Sequence, residues 1–471
     1  MEKKKKTTKS VNDIALEKDE LILLTIKRLG INGEGIGFYK RKTVFVPNAL
    51  PGEIVEVKIV EVNDKYVSGE ITKFKKKSED RCKPLCPYFE KCGGCQLQHL
   101  TYEAQLKEKK NLVEEAFSRY YDGDIKKLEF RDTIGMSVDG KVSPWSYRNK
   151  SSLPTRHDGE KVICGMYAIN SNMLVYITDC LIENEKINET RKEILDLFTK
   201  ENIDVYNPKT HQGSLRYLII RAFPNQDDVQ VTCVLTKMDN KIIKILKNIK
   251  AKSVNYTINS DLKAVEIINS EVINVKGEKE INGKLGDLNF KISPEAFFQL
   301  NTLQTVKLYN EIKKACALTK TENVLDLYCG IGSIGMFLAS DAKEVRGIDV
   351  NKSGIENANS FARINDVKNA KFYSGNILPH WNQFNEEGFR ADCVVVDPPR
   401  SGMELNVLNY IKKMKYKKIV YVSCNPATLA KNVNHLQSHY KIEYIQPIDM
   451  FPQTSNVETV CLLTNRAGNK S

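Results

Sequence analysis

Three stretches of the chain carry side chains able to do chemistry. Val422-Ser-Cys424-Asn-Pro-Ala-Thr428 sets a cysteine just after an apolar run, where a strand ends and its side chains reach an active edge. Val394-Val-Val-Asp397-Pro-Pro-Arg400-Ser-Gly402 ends another apolar run in an acid and two prolines. Asp449-Met-Phe-Pro452-Gln-Thr-Ser-Asn-Val-Glu458-Thr-Val places a carboxylate among alternating apolar residues of a last strand. A thiolate is a nucleophile, but a free thiol, with a pKa of about 8.5, must be activated by its setting. A carboxylate nearby can move a proton. Each residue alone has a plainer explanation. A free cysteine is usually a small buried hydrophobe, which suits Cys233, Cys316, Cys329, Cys393 and Cys461. Glu458 alone would be a surface strand residue.

A fourth stretch suggests what these groups act with. Asp326-Leu-Tyr328-Cys-Gly330-Ile-Gly332-Ser333-Ile-Gly335 follows an apolar strand and opens a helix. Its glycines let the backbone turn tightly and approach a ligand. Gly330 to Gly335 also fits the dinucleotide fingerprint, a weak match alone. The next strand ends at Asp349, 23 residues after Asp326, where an acid can accept from both hydroxyls of an adenosine ribose. Asp326 stands where a carboxylate could meet the ammonium of S-adenosylmethionine; its plainer role is a helix cap. Methyl transfer to a nucleobase uses all four stretches. Carbon 5 of uracil is a poor nucleophile until a thiolate adds at carbon 6, and a base must later remove the carbon 5 proton. In amino-methylating enzymes an aromatic residue follows the prolines; Arg400 stands there instead.

Cys82, Cys86, Cys92 and Cys95 crowd within fourteen residues, with Gly93-Gly94 allowing a tight turn. In a reducing compartment such density argues for a metal. Spacing alone allows a four-cysteine zinc site or an iron–sulfur cluster, and it would choose Cys82 as the fourth ligand.

These groups need elements to position them. The 471 residues suggest about three domains. Lys plus Arg exceed Asp plus Glu by 71 to 59, a net +12 that favours a polyanionic partner such as nucleic acid. Residues 1–16 read as a flexible basic tail. Residues 17–76 show about five short strands with glycine-rich turns, a small barrel of the oligonucleotide-binding kind. Residues 77–290 read as a mixed α+β central domain containing the cysteine stretch. Its Tyr102, Leu106, Val113, Phe117 and Tyr120 recur at helical spacing. Trp145-Ser-Tyr147-Arg148-Asn-Lys150 and Leu215-Arg216-Tyr217 offer aromatics beside cations for stacking on RNA. Residues 291–471 alternate strands (Asn323 to Leu327, Glu344 to Asp349, Ala391 to Asp397, Lys418 to Val422) with helices, giving an α/β, Rossmann-like doubly wound sheet. No apolar run approaches the roughly 20 residues of a membrane span, and no secretory signal follows the tail. A cytoplasmic protein, with a monomer as the expected state, is the reading.

The motifs around Asp326, Asp397, Cys424 and Asp449 to Glu458 together resemble the RNA uracil-5-methyltransferase family, in particular its 23S ribosomal RNA branch, over nearly the whole chain. The resemblance implies a class I methyltransferase domain, a TRAM domain over Leu21 to Phe74, Cys424 as nucleophile and Glu458 as base. It implies S-adenosylmethionine contacts from Gln299 (in Phe297-Phe-Gln-Leu-Asn301), Tyr328, Asp349 and Asp397, with Gly330 and Ser333 in the same loop. It also implies a four-iron, four-sulfur cluster on Cys86, Cys92, Cys95 and remote Cys180, leaving Cys82 spare. The implied substrate is 23S ribosomal RNA. Transfer RNA methylation by the same chemistry, and a non-catalytic RNA-binding assembly factor, are the competing readings; intact Asp397, Cys424 and Glu458 argue against the last.

Overall fold

Strict alternation builds the N-terminal unit. Along Leu21–Leu29 the residues Ile22, Leu24 and Ile26 point inward and are almost fully buried, while Leu21 and Leu23 face out. With Gly35–Tyr39, Lys42–Val46, Ile54–Val62 and Val67–Lys76 this strand closes a five-stranded barrel. Closure leaves no free sheet edge. Each aliphatic side chain buried inside contributes roughly 1.5–3 kcal/mol. Buried Glu53 latches the barrel to the following segment by a two-pronged ion pair with Arg81, at 2.6 and 2.8 Å.

This computed structural model describes residues 16–169, 171–224, 226–261 and 263–469. The basic tail therefore lies outside the described residues, except Leu16, which is buried in the barrel core. Among the described residues no helix is long and apolar enough to cross a membrane.

The middle of the chain forms a seven-stranded sheet in the order Leu174–Tyr176, Lys161–Tyr167, Lys150–Asp158, Leu215–Ala222, Val229–Leu235, Ser253–Ile258, Val272–Gly277. Neighbours run antiparallel except Val229–Leu235 and Ser253–Ile258. Helix Glu185–Lys200 lays Ile187, Ile194, Leu195 and Phe198 on one face of this sheet.

The C-terminal sheet also has seven strands, ordered Ala370–Ser374, Glu344–Asp349, Asn323–Leu327, Cys393–Val396, Lys418–Ser423, Glu458–Asn465, Tyr440–Ile448. The first five are mutually parallel, and Glu458–Asn465 runs against both of its neighbours. Buried side chains alternate between two cores. Val324, Val345, Val395 and Val420 pack under helices Thr302–Cys316 and Lys352–Ile364. Leu325, Ile348, Val394 and Ile419 pack under Ile377–Glu386, Leu405–Met414 and Pro426–Leu436.

Helix Tyr102–Tyr120, as its periodicity predicts, forms where expected, and it joins the second of these cores through Val113 and Phe117. Phe130 and Ile134 bridge to Ile445 and Ile448 on the edge strand of the C-terminal sheet. Strand Tyr440–Ile448 has no counterpart in the sequence reading. The expected last strand begins only at Glu458, because in Asp449–Val457 the backbone groups bond to side chains and loops rather than to a ladder.

Candidate active site

The parallel strands deliver their chemistry at their carboxyl ends. Asp349 ends strand Glu344–Asp349, Tyr328 follows Asn323–Leu327, Asp397 follows Cys393–Val396, and Cys424 follows Lys418–Ser423. The reversed strand brings its first residue, Glu458, to the same edge. Its register pairs Ser423 with Thr459, so one step further the ladder would pair Cys424 with Glu458. Two residues 34 apart in sequence are brought to one sheet edge by that register.

The three groups feel one another. Burial, then the charges of Glu458 and Asp397, push the Cys424 thiol up to about 11, while Arg400 pulls it down. Burial pushes Asp397 up to about 7. Glu458, 7% exposed, is raised well above the usual carboxylate range by burial and then by Asp397, again opposed by Arg400. Crowded acids cannot all ionise, so the set holds protons near neutral pH. Helix Pro426–Leu436 starts two residues after Cys424, with Asn425 accepting from the Ala427 amide at 3.1 Å. The partial positive charge of a helix N-terminus favours a thiolate there.

The glycine loop is preorganised. Gly332 has φ +71, and a Cβ on it would lie 2.6 Å from the Phe372 ring. Tyr328 itself takes φ +62. Asp349 accepts from the amides of Gly330 and Asn351 at 2.9 and 2.8 Å, which fixes its carboxylate at the loop mouth. Asp326 is fully buried, and its Oδ2 accepts from the Gly335 amide at 2.9 Å, the capping role. Its Oδ1 is buried with no partner, and burial raises the carboxyl to about 8. A buried acid with one orphan oxygen fits a cationic donor such as an amino-acid ammonium. A Cβ on Gly330 would meet nothing within 4 Å, which leaves room beside the loop. These features suit S-adenosylmethionine. Gln299 lies in the loop entering helix Thr302–Cys316, with its carbonyl accepting from Asn149 Nδ2 at 2.9 Å. Ser333 is engaged by Tyr309, hydroxyl to hydroxyl at 2.6 Å. Tyr309 escaped the sequence reading. It is buried on helix Thr302–Cys316 within electrostatic reach of Asp397, Asp326 and Glu458, and only its helical register could have pointed inward.

Cys424, Arg400 and Asn456 lie in a cleft whose other walls belong to the barrel and to helix Tyr102–Tyr120. The barrel contributes Phe38, Phe45, Tyr66 and Lys65; the helix contributes Arg119 and Tyr120. Phe38 is 54% exposed and Tyr66 40%. Aromatic faces between cations are what single-stranded nucleic acid stacks on. Two of the expected stacking groups of the central region are otherwise employed. Tyr147 is buried and donates to the Pro452 carbonyl at 3.0 Å. Arg216 is buried and donates to the Asp261 carbonyl at 3.0 Å. His157 is exposed, and His211 bonds Tyr206 at 3.0 Å, so both are ordinary histidines.

Cys86, Cys92, Cys95 and Cys180 line one cavity with Phe89, Leu153, Met166 and Ile177. Cys82 is outside it, in a separate pocket, with its thiol donating to the Gln98 carbonyl at 3.4 Å. The fold therefore brings remote Cys180, and not near Cys82, to the cavity of Cys86, Cys92 and Cys95. Two hydrogen bonds with Asn188 fix the Cys180 backbone, at 2.9 and 3.1 Å. Burial pushes Cys95 up to about 11 and Cys180 up to about 12. Among the described residues no group of three or more His, Cys, Asp or Glu side chains converges to hold a metal ion.

Known proteins share this arrangement. The sequence profile of the tRNA (uracil-5-)-methyltransferase family matches residues 101–466, and that of the TRAM domain matches residues 19–72. An uncharacterized RNA methyltransferase of Halalkalibacterium halodurans is 44% identical over 466 residues, 97% of this chain and 99% of the relative. One from Listeria innocua is 40% identical over 466 residues, 97% and 100% of the two chains. The crystal structure of Pyrococcus abyssi tRNA (uracil-54, C5)-methyltransferase in complex with S-adenosyl-L-homocysteine is similar with a TM-score of 0.73 at 26% identity, covering 94% of this chain and 100% of that one. The C-terminal sheet has the class I methyltransferase fold, and the barrel is a TRAM domain.

Proposed function

Because the chain belongs to the tRNA (uracil-5-)-methyltransferase family, whose members use S-adenosylmethionine, we propose that it methylates carbon 5 of a uridine in 23S ribosomal RNA, with Cys424 as nucleophile and Glu458 as base. The observation that supports this reading is the cross-strand register that brings Cys424 and Glu458 to one sheet edge, within electrostatic reach of each other and of Asp397. S-adenosylmethionine supplies an electrophilic methyl group. Asp349, Tyr328, Asp397 and Gln299 would hold it, with the orphan oxygen of Asp326 free for its ammonium. The Cys424 thiolate adds to carbon 6 of the uracil, which pushes an electron pair through the ring and makes carbon 5 the nucleophile. After methylation Glu458 takes the carbon 5 proton, the ring double bond returns, and the thiolate leaves. Once ionised, a carboxyl raised by burial binds a proton more tightly, which makes it the stronger base for that step. Arg400 steadies the anionic groups. The uridine must be unstacked first, at roughly a few kcal/mol, and the aromatic cleft between barrel and catalytic sheet offsets that cost.

Cys86, Cys92, Cys95 and Cys180 are proposed to hold a four-iron, four-sulfur cluster, a soft-metal site supported by four thiols on one cavity wall. Methylation needs no electron from it, so its role is structural. A colourless, zinc-loaded protein after anaerobic purification would refute the cluster.

RNA containing 5-fluorouridine tests the chemistry, since its carbon 5 substituent cannot leave as a proton. Wild-type enzyme should form a stable covalent adduct, and Cys424→Ala should form none; an adduct with Cys424→Ala refutes the nucleophile. Transfer RNA is the second reading, because the Pyrococcus abyssi neighbour acts on it. Mapping methyl-nucleosides in RNA from a deletion strain decides between the two: loss of 5-methyluridine from 23S RNA supports the first, loss from transfer RNA the second.

A further inference from the structure

Glu458 is the first residue of its strand, so the loop before it, Asp449–Val457, decides where its carboxylate stands. Cys424 depends on no such loop; the parallel register of the sheet fixes it. The loop is bonded along its whole length by other segments of the molecule. At its start, buried Asp449 pairs with buried Lys109 and accepts from the Tyr102 hydroxyl at 2.7 Å, both on helix Tyr102–Tyr120. At its end, Ser455 donates to the Ile31 carbonyl of the barrel unit at 2.8 Å.

The middle of the loop is Gln453, which is buried and takes φ +70, a left-handed conformation that costs a non-glycine residue free energy unless its surroundings hold it. Here they do. Gln105, also buried, donates through Nε2 to Gln453 Oε1 at 3.0 Å and accepts from the Gln453 amide at 3.1 Å. On the opposite side the Gln453 carbonyl accepts from the amides of Gln96 and Leu97 at 3.0 and 2.9 Å. Those two residues directly follow Cys95 in the cysteine cavity. Gln105 closes the arrangement by donating to the Leu97 carbonyl at 3.0 Å.

We propose that Gln105 and Gln453 form a clamp that positions Glu458 for proton abstraction, and that the segment after Cys95 is its third jaw. This rests on the reading of Glu458 as base. In the affected step the carbon 5–hydrogen bond breaks and the proton passes to the Glu458 carboxylate. Its electron pair forms the carbon 5–carbon 6 double bond, and the carbon 6–sulfur bond breaks with its pair leaving on Cys424. The clamp touches no reacting atom and leaves Cys424 and the glycine loop alone. Its loss therefore slows release of the adduct and spares formation of it. The clamp also gives the cysteine cavity a purpose without electron transfer: a folded cysteine segment is what holds the base loop from behind.

The experiment uses the full chain, Gln105→Leu, Gln453→Gly and, as reference, Glu458→Gln. Gln453→Gly guards against misfolding, because glycine adopts positive φ without strain. Adduct formation with 5-fluorouridine RNA and S-adenosylmethionine affinity by calorimetry should stay near wild type. Turnover on ordinary uridine RNA should fall roughly tenfold to a hundredfold, the scale of a small misplacement. The covalent enzyme–RNA species on ordinary RNA should accumulate on denaturing gels, as with Glu458→Gln. A parallel fall in adduct formation and turnover, or unchanged turnover, overturns the clamp. No 5-fluorouridine adduct from wild type overturns the catalytic reading, and the clamp with it.

Discussion

The molecule holds two thiol sites that look alike by acidity and differ in the groups around them. Cys95 and Cys424 are both pushed up to about 11, each chiefly by burial. Around Cys95 the groups that raise it further are other thiols, Cys92 and Cys86, opposed by Arg148, in a cavity walled by Phe89, Leu153 and Met166. Around Cys424 they are Glu458 and Asp397, opposed by the cation Arg400, in a cleft reaching the barrel aromatics. A raised thiol thus says only that it is desolvated. Several thiols on one cavity are what the proposed cluster would take as its ligands, with a soft metal driving their deprotonation. One thiol among carboxylates, facing a cleft, is the setting in which we propose a nucleophile.

The largest effect that could break this contrast lies on the ligand side. Cys180→Ser should remove most bound iron and sulfide and lower Tm steeply, since losing a bound group that holds the native state removes its binding free energy from folding. Cys82→Ser, outside the cavity, should keep both. Metal analysis after anaerobic purification, with thermal scans, reads the result. If Cys82→Ser loses the metal and Cys180→Ser keeps it, the cavity has been assigned the wrong fourth thiol.

The sequence made the strands of the C-terminal sheet legible where they are buried on both faces. Asn323–Leu327 and Glu344–Asp349 match to the residue, because short apolar runs bounded by loops have few alternatives. Tyr440–Ile448 was illegible for the opposite reason. It carries Lys441, Glu443, Gln446 and Pro447, and it is buried because residues 129–134 cover it, with Gln446 donating to the Asp132 carbonyl at 2.7 Å. Cys424, Asp397 and Glu458 could each be named from their motifs. Their meeting could not be derived, because it depends on the reversed direction of one strand and its register. Tyr147 shows the limit of local composition: flanked by Trp145 and Arg148 it resembles a stacking platform, yet packing turned it inward onto Pro452. That Cys180 rather than Cys82 lines the cysteine cavity was likewise beyond spacing; the resemblance implied it, and the fold of the central sheet and helix Glu185–Lys200 brings it there.

A smaller effect sharpens the contrast from the catalytic side. Arg400 is exposed and pulls both the Cys424 thiol and the Glu458 carboxyl toward their charged forms. Removing it should raise the thiol's pKa further. Below that pKa the thiolate fraction, and with it reactivity, then falls at every pH. An exposed charge is screened, worth about 0.2–1 kcal/mol, so Arg400→Gln should slow Cys424 by roughly 1.4- to 5-fold. Alkylation by iodoacetamide, followed site by site by mass spectrometry between pH 7 and 9.5, measures this in the absence of RNA, so no phosphate contact of Arg400 can intrude. The wild-type rate should climb about tenfold per pH unit, as expected far below a thiol's pKa. The variant's line should run parallel and lower. Cys95, buried and in a different cavity from Arg400, should react slowly and identically in both proteins. Equal alkylation of Cys424 in both would mean that Arg400 does not tune the thiol. A change at Cys95 would mean that the two sites are not electrically independent, and the difference between ligand and nucleophile would have to rest on cleft access alone.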